Sequence, residues 1–246
     1  MIENNITINI IGPGKVGRSL YNCFKEKHIK TLLIDKNWDY KNKKLNGIVL
    51  ITTQDENIIP VWNILQKHDL TKILAIGHCS GYLDSSFFDN IPHFSIHPNF
   101  PFSSIKKCHE IKNITWGIEG DEIGITFAKE IINILNGKYV IIPQNKKGIY
   151  HLAAVIASNF SYVLIKMAKD LYDEIEIKDI NHLLDLSINS LNNIKKIGLK
   201  NALTGPVARN DFNTINNERD IFGEILGNVE VYDFFIKLLY KIKEDD

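Results

Sequence analysis

The chain has 246 residues, too many for a minimal module and close to the ceiling for a single core, so one large or two small domains are expected. Apolar residues make up 44% and charged residues 24%, a globular balance that argues against a disordered chain. Lys+Arg and Asp+Glu are 29 each, so there is no net cationic field for nucleic acid, although a local patch is not excluded.

The start of the chain has no basic segment followed by an apolar stretch, which argues against a secretory signal. No unbroken apolar run approaches the roughly 20 residues of a membrane span. A cytoplasmic protein, bound to neither membrane nor nucleic acid, is expected. Cys23, Cys79 and Cys108 are few, odd in number and unclustered, so neither a disulfide framework nor a thiolate metal site is suggested. No metal is expected.

Residues 6–11 form a short apolar run ending at Gly12, and residues 14–27 carry Val16, Leu20 and Phe24 at helical spacing. Strands follow at 31–34, 47–51 and 72–76, with a helix over 56–68 between the last two. Further strands are expected at 92–96 and 114–118, then a helix over 122–135 and a strand at 139–142. Alternating apolar strands and helices imply a parallel sheet buried on both faces. Beyond Lys147 the pattern is helical: one long helix over 151–172, a second over 180–197, a break at Gly205-Pro206 and a last helix over 231–243. The fold class is therefore α/β, with a Rossmann-type sheet domain over 1–143 and an all-helical domain over 144–246.

Gly12-Pro13-Gly14-Lys15-Val16-Gly17 is G-x-G-x-x-G placed between a strand and a helix, where a dinucleotide fingerprint belongs. Gly12 permits the turn, Gly14 lets a pyrophosphate approach the backbone, and Gly17 lets the helix pack close to the sheet. Asp35 closes the second strand and would accept hydrogen bonds from a ribose, which favours NAD. Lys36, Lys41, Lys43 and Lys44 could attract a 2′-phosphate or form a solvated loop. Thr52 and Thr53 are cofactor-contact candidates by position, whereas Asp55 reads as a helix N-cap.

His78-Cys79-Ser80-Gly81 and His97-Pro98 follow the fourth and fifth strands and should open on the ligand edge of the sheet. Ser80 could donate to a substrate. Cys79 reads as a small buried thiol, His93 as structural, and His97 as either a substrate contact or a turn residue. His151, Ser158 and Asn159 lie near one face of the long helix. They either pair internally or face the nicotinamide, with His151 as the acid for a carbonyl reduction. Thr204 and Arg209 flank Gly205-Pro206 and could bind a substrate carboxylate, or cap a helix and form a surface pair.

Ile11 to Gly17, His78-Cys79-Ser80-Gly81, His97-Pro98, His151-Leu152-Ala153-Ala154 with Ser158-Asn159, and residues 203–209 together resemble the Rossmann-like proteins with a DUF2520 C-terminal domain. That family is similar to the 6-phosphogluconate dehydrogenase-like oxidoreductases, which include pyrroline-5-carboxylate and ketopantoate reductases. The short, Asn/Ile/Lys-rich form here looks like the alternative ketopantoate reductases of pantothenate synthesis, which reduce 2-dehydropantoate to pantoate. The resemblance implies NADP as cofactor, against the NAD suggested by Asp35. It also implies a 2-oxo-acid substrate, catalytic His151, Asn159 and Ser80, and substrate contacts from His97, Ser158, Thr204 and Arg209. The usual Lys–Asn pair of such enzymes is missing from residues 151–172, and Lys147 is its nearest analogue. An imine reductase of the pyrroline-5-carboxylate type, or a dinucleotide-binding protein without catalysis, are the alternatives. Apolar faces such as Phe234, Phe235, Leu238 and Leu239 belong either to an internal core or to a homodimer contact.

Overall fold

The computed structural model describes residues 6–39 and 44–244, so Lys41 and Lys43 lie outside the described residues. The first half alternates strand and helix: β1 (Ile8–Ile11), α1 (Lys15–Glu26), β2 (Thr31–Ile34), β3 (Gly47–Ile51), α2 (Asp55–Leu65), β4 (Ile73–His78), β5 (His93–Pro98), a 3-10 turn (Cys108–Glu110), β6 (Thr115–Gly120), α3 (Glu122–Ile134) and β7 (Lys138–Ile141). The seven strands form one sheet in the order β2-β1-β3-β4-β5-β6-β7. This is a Rossmann-type arrangement.

Side chains alternate across the central strands. Ile48 and Leu50 of β3 join Leu20 and Phe24 of α1 and Ala128, Ile131 and Ile132 of α3 in one core layer. Val49 and Ile51 face the other way, onto Ile58, Trp62 and Leu65 of α2. Every one of these residues is buried, each contributing roughly 1.5–3 kcal/mol where the side chain is large. Double-sided burial explains why these strands read as continuous apolar runs.

The expected all-parallel sheet needs one correction: β5 and β6 are antiparallel, with Ser95 opposite Glu119 and His97 opposite Gly117. A parallel neighbour needs a crossover helix. Residues 99–114 supply only the 3-10 turn, which is held over α1 by the Lys106 N–H donating to Ser19 Oγ at 2.8 Å. The same docking corrects the cysteine reading. Cys23 of α1 and Cys108 of the turn, 85 residues apart, form a disulfide, and Cys79 is the free thiol. Sequence spacing could not show a contact that arises from one loop folding onto one helix.

The second half comprises α4 (Lys147–Glu174), α5 (Asn181–Ala202), the short α6 (Pro206–Arg209), α7 (Phe212–Leu226) and α8 (Val229–Glu244). α5 breaks at Gly198, where φ is +81°. The chain divides into two compact units, residues 1–155 and 156–246, so the division falls inside α4, whereas Pro143 precedes that helix. Within the second unit only Val207 and Ile215 are buried among the described residues. α4 is also long and apolar enough to cross a membrane by length and composition alone. A search for an unbroken apolar run missed this, because polar residues such as Ser158 and Asn159 interrupt the helix.

Candidate functional site

The glycine loop is built as a backbone cradle. Gly12 has φ +112°, a conformation that L side chains rarely adopt, and a β-carbon there would also meet Thr53 at 2.9 Å. A β-carbon on Gly17 would lie 2.1 Å from the Gly12 carbonyl oxygen, so this glycine is what lets α1 close onto the loop. Gly14 differs: a β-carbon there meets nothing within 4 Å. Gly14 is the N-cap of α1 and supplies no side-chain cap, which leaves the first-turn N–H groups facing open space. Thr53 Oγ1 is buried without a partner among the described residues. An uncapped helix N-terminus, an open glycine face and an orphan hydroxyl together fit a dinucleotide phosphate.

Thr52 does different work from the contact expected of it. Its hydroxyl lies 2.7 Å from the Gly12 carbonyl and 3.2 Å from the Ile11 carbonyl, so its proton braces the loop from beneath. Lys15 and Val16 are the first two residues of α1, and Pro13 accepts from Arg18 Nε at 2.8 Å. Arg18 is a cation at the loop that the motif reading passed over. Asp35 is exposed beyond β2, and its Oδ1 accepts the Asn37 N–H at 2.9 Å.

Ser80 also needs correction. Its Oγ donates to Asp55 Oδ2 at 2.7 Å and accepts the N–H groups of Tyr82 and Leu83 at 3.1 and 3.0 Å. Its one proton goes to Asp55 here, so in this structure Ser80 shapes the turn instead of offering a donor to the site. Asp55 is thereby the partner of Ser80, while Gln54 holds the N-cap position of α2. His78 is fully buried, and burial pulls it down to about 3. Its Nδ1 accepts the Ser80 N–H at 3.2 Å and its Nε2 stands 3.4 Å from the Asp84 carbonyl, a structural imidazole. Burial pushes the Cys79 thiol up to about 12, which removes it as a nucleophile at neutral pH. His93 sits between the Ile91 carbonyl and Asp121, the N-cap of α3.

Alternation along β5 sets the next layer. Phe94 and Ile96 enter the core, so Ser95 and His97 share the opposite face. The first turn of α4 meets that face. Lys147 is fully buried and donates to the Ser80 carbonyl at 2.6 Å and to Ser95 Oγ at 2.8 Å. Burial lowers Lys147 to about 8, with Glu119 the largest opposing influence. Glu119 in turn accepts from Ser95 Oγ, from Ser85 Oγ and from the Ser85 N–H. This network clamps α4 to β5 and β6. Its sequence signal was Glu119, a carboxylate in the otherwise uncharged strand β6.

One turn along α4, His151 comes beside His97, with ring centroids 5.7 Å apart. Tyr150 joins them: its OH donates to Asn99 Oδ1 at 2.7 Å and stands 3.2 Å from His97 Nδ1. Burial pulls His97 down to about 4, followed by the charges of His151 and Lys147, with Asp55 opposing. His151 Nδ1 is buried and has no partner among the described residues. Tyr150 and Asn99 were not singled out in the sequence, because neither type signals chemistry alone.

The remaining candidates lie in the second unit. Ser158 Oγ donates to the neighbouring Asn159 Oδ1 at 3.0 Å, and both residues are exposed. Thr204 does not cap α6, whose N-cap is Gly205 with φ +88°. Arg209 stands 3.9 Å from Asp211, which caps α7 through the Thr214 N–H.

Residues 114–237 match the family model for a domain of unknown function, DUF2520. The crystal structure of protein TM1727 from Thermotoga maritima is 33% identical, with a TM-score of 0.82, and the alignment covers 96% of this chain and 98% of that one. Protein BF3122 from Bacteroides fragilis, a proposed NADP oxidoreductase, is 17% identical over 97% of this chain and 99% of that chain, with a TM-score of 0.77. A Plasmodium falciparum pyrroline carboxylate reductase with NADP bound is 15% identical over 97% and 100%, with a TM-score of 0.58. No curated protein matches the chain.

Proposed function

The chain belongs to the DUF2520 family, and from that premise we propose that it is an NAD(P)H-dependent reductase that converts the 2-oxo acid 2-dehydropantoate to pantoate. One observation carries this reading. The phosphate cradle closes β1, and His97 and His151 meet at Gly81 beyond β4 and β5 of the same sheet. Ligands of such sheets lie along this carboxyl edge. Two structures that share the fold are NADP-linked, which supports the cofactor class.

Gly12 to Gly17 would hold the pyrophosphate on the α1 N–H groups, and Thr53 Oγ1 would find its missing partner there. When bound, the reduced nicotinamide supplies a hydride to the carbonyl carbon. The chain must then protonate the developing alkoxide. His151 is the residue assigned to that step, since its Nδ1 is unclaimed by the protein. Asn159, Ser158, Thr204 and Arg209 are the substrate-binding candidates carried over from the family resemblance, with Arg209 for the carboxylate. NADPH is the cofactor assigned by family resemblance, and the exposed Asp35 is the observation favouring NADH. The same fold supports a second reading, reduction of a cyclic imine, which needs less acid catalysis because the substrate arrives protonated.

The test is a four-way assay of purified protein: 2-dehydropantoate and pyrroline-5-carboxylate, each with NADPH and NADH. Oxidation of cofactor with 2-dehydropantoate alone supports the proposal. Turnover of the imine alone supports the second reading, and cofactor binding without turnover of either overturns both. His151→Ala is expected to lower kcat by about 100-fold or more. Full turnover by that variant would remove His151 from its role.

A further inference from the structure

The hydrogen bonds around Tyr150 point to one tautomer of His97. A tyrosine hydroxyl has one hydrogen, and here it goes to Asn99 Oδ1, which can only accept. At its other contact, 3.2 Å from His97 Nδ1, the Tyr150 oxygen then serves as acceptor, which assigns the hydrogen to His97 Nδ1. The ring is kept neutral at pH 7 by its burial, so Nε2 is left with a lone pair.

That lone pair is not consumed inside the protein. Among the described residues none donates to His97 Nε2. The atom stands beside Gly81, where a β-carbon would lie 2.8 Å from it and 2.6 Å from His151 Nδ1. Gly81 thus lets two imidazole nitrogens come together at one place. No group of three or more His, Cys, Asp or Glu that could hold a metal occurs among the described residues. Nor can His97 act as the acid, because Nε2 has no proton to give. The groups acting on it are His151 and Lys147 from α4 and Asp55 from α2.

We infer that His97 is the specificity-determining acceptor of the site: its Nε2 takes a hydrogen bond from a hydroxyl of the substrate, so the site selects 2-oxo acids that carry a hydroxyl donor. This inference rests on the proposed 2-oxo-acid reduction. The ketone and carboxylate of a 2-oxo acid offer only acceptors, which a lone pair repels. A donor must come from the substituent, and in 2-dehydropantoate the hydroxymethyl group is the one available. A substrate without it leaves Nε2 unpaired once bound substrate has displaced water, which is how such sites discriminate.

Two measurements test this. The first is independent of turnover: imidazole ¹⁵N–¹H spectra of the protein at neutral pH, with His97 assigned by comparison with H97Q. The expected result is a neutral ring protonated at Nδ1, and a ring protonated at Nε2 or at both nitrogens overturns the inference. The second compares 2-dehydropantoate with 3,3-dimethyl-2-oxobutanoate, which has a methyl in place of the hydroxymethyl. Wild type should favour 2-dehydropantoate in kcat/KM by on the order of 10- to 100-fold. H97F, and separately Y150F, should compress that ratio to within about threefold, by the loss of the one hydrogen bond. A ratio unchanged in H97F, or absent in wild type, overturns the inference. If wild type reduces neither compound, the proposed function has failed, and the spectra alone decide whether His97 is an acceptor.

Discussion

Gly14 and Gly17 are three residues apart in one loop, yet a methyl group added to each meets opposite surroundings. At Gly14 it would project into open space. At Gly17 it would overlap the Gly12 carbonyl and the Thr52 hydroxyl. Gly17→Ala should therefore destabilise the fold by about 1–3 kcal/mol or more. Gly14→Ala should melt within a few degrees of wild type but bind dinucleotide at least about tenfold more weakly, because the pyrophosphate needs that approach. Thermal melts and a cofactor fluorescence titration separate the two. Normal binding by Gly14→Ala would remove the loop from the cofactor site. Buried imidazoles give a second prediction. His78 and His97 titrate at about 3 and about 4 in the fold, against about 6.5 unfolded. Between those values the unfolded chain binds more protons, so stability is full above about pH 6.5 and falls as the pH drops through the window. At about 1.4 kcal/mol per pKa unit the two account for several kcal/mol. Denaturant melts from about pH 7 to about pH 4.5 should show the loss, and His78→Gln should flatten it, since glutamine cannot take the proton. Superimposable pH profiles would refute the neutral buried assignment.

Elements inherit their legibility from what covers them. The disulfide between α1 and the 3-10 turn is the case where sequence had least to say, and it gives a direct count. Denatured, unreduced protein should titrate one thiol, Cys79, where the sequence holds three cysteines. Closing a loop of 85 residues stabilises by up to about 4.5 kcal/mol, so reduction should shift the urea midpoint downward. Three free thiols in freshly purified protein would refute the pairing. Strands β1 and β3 were readable because both faces are buried, which favours runs of Ile, Leu and Val, broken in β1 only by the buried Asn9. The direction of β6 was not, because strand composition does not record which neighbour a strand meets. α7 escaped notice because its sequence, with one buried residue, lacks a clear apolar stripe. In the site, the sheet edge drew attention to His97 and a helix face to His151, and the fold brings the two rings together. Sequence position misplaced Ser80 and Thr52, because a residue type does not reveal where a single hydroxyl proton is spent.

At the scale of the whole molecule the two units face opposite problems. The first buries its central strands, with β7 exposed at the sheet edge, whereas the second leaves its helices largely uncovered. On α4, Leu152, Ile156, Phe160 and Val163 recur at helical spacing and each is more than half exposed. Leu186 and Leu191 of α5 are each 65% exposed, and Phe212, Ile221, Phe234 and Leu238 extend the pattern to α7 and α8. Large apolar side chains left exposed in this number are what an interface would cover. A membrane would account for α4 taken whole, but not for single faces on α5, α7 and α8. A second copy of the chain offers the same faces in return, since a two-fold interface is self-complementary. The homodimer is therefore our expectation. Light scattering in detergent-free buffer should give twice 28.1 kDa. Leu186→Glu with Leu191→Glu places two carboxylates at exposed positions of α5 that a monomer leaves in water, where they cost little; wherever a dimer buries one, an unpaired charge costs several kcal/mol. The double variant should run as a monomer or fail to accumulate. A wild-type protein of 28.1 kDa, or a double variant with unchanged mass and unchanged melting, would show that these helices meet water after all.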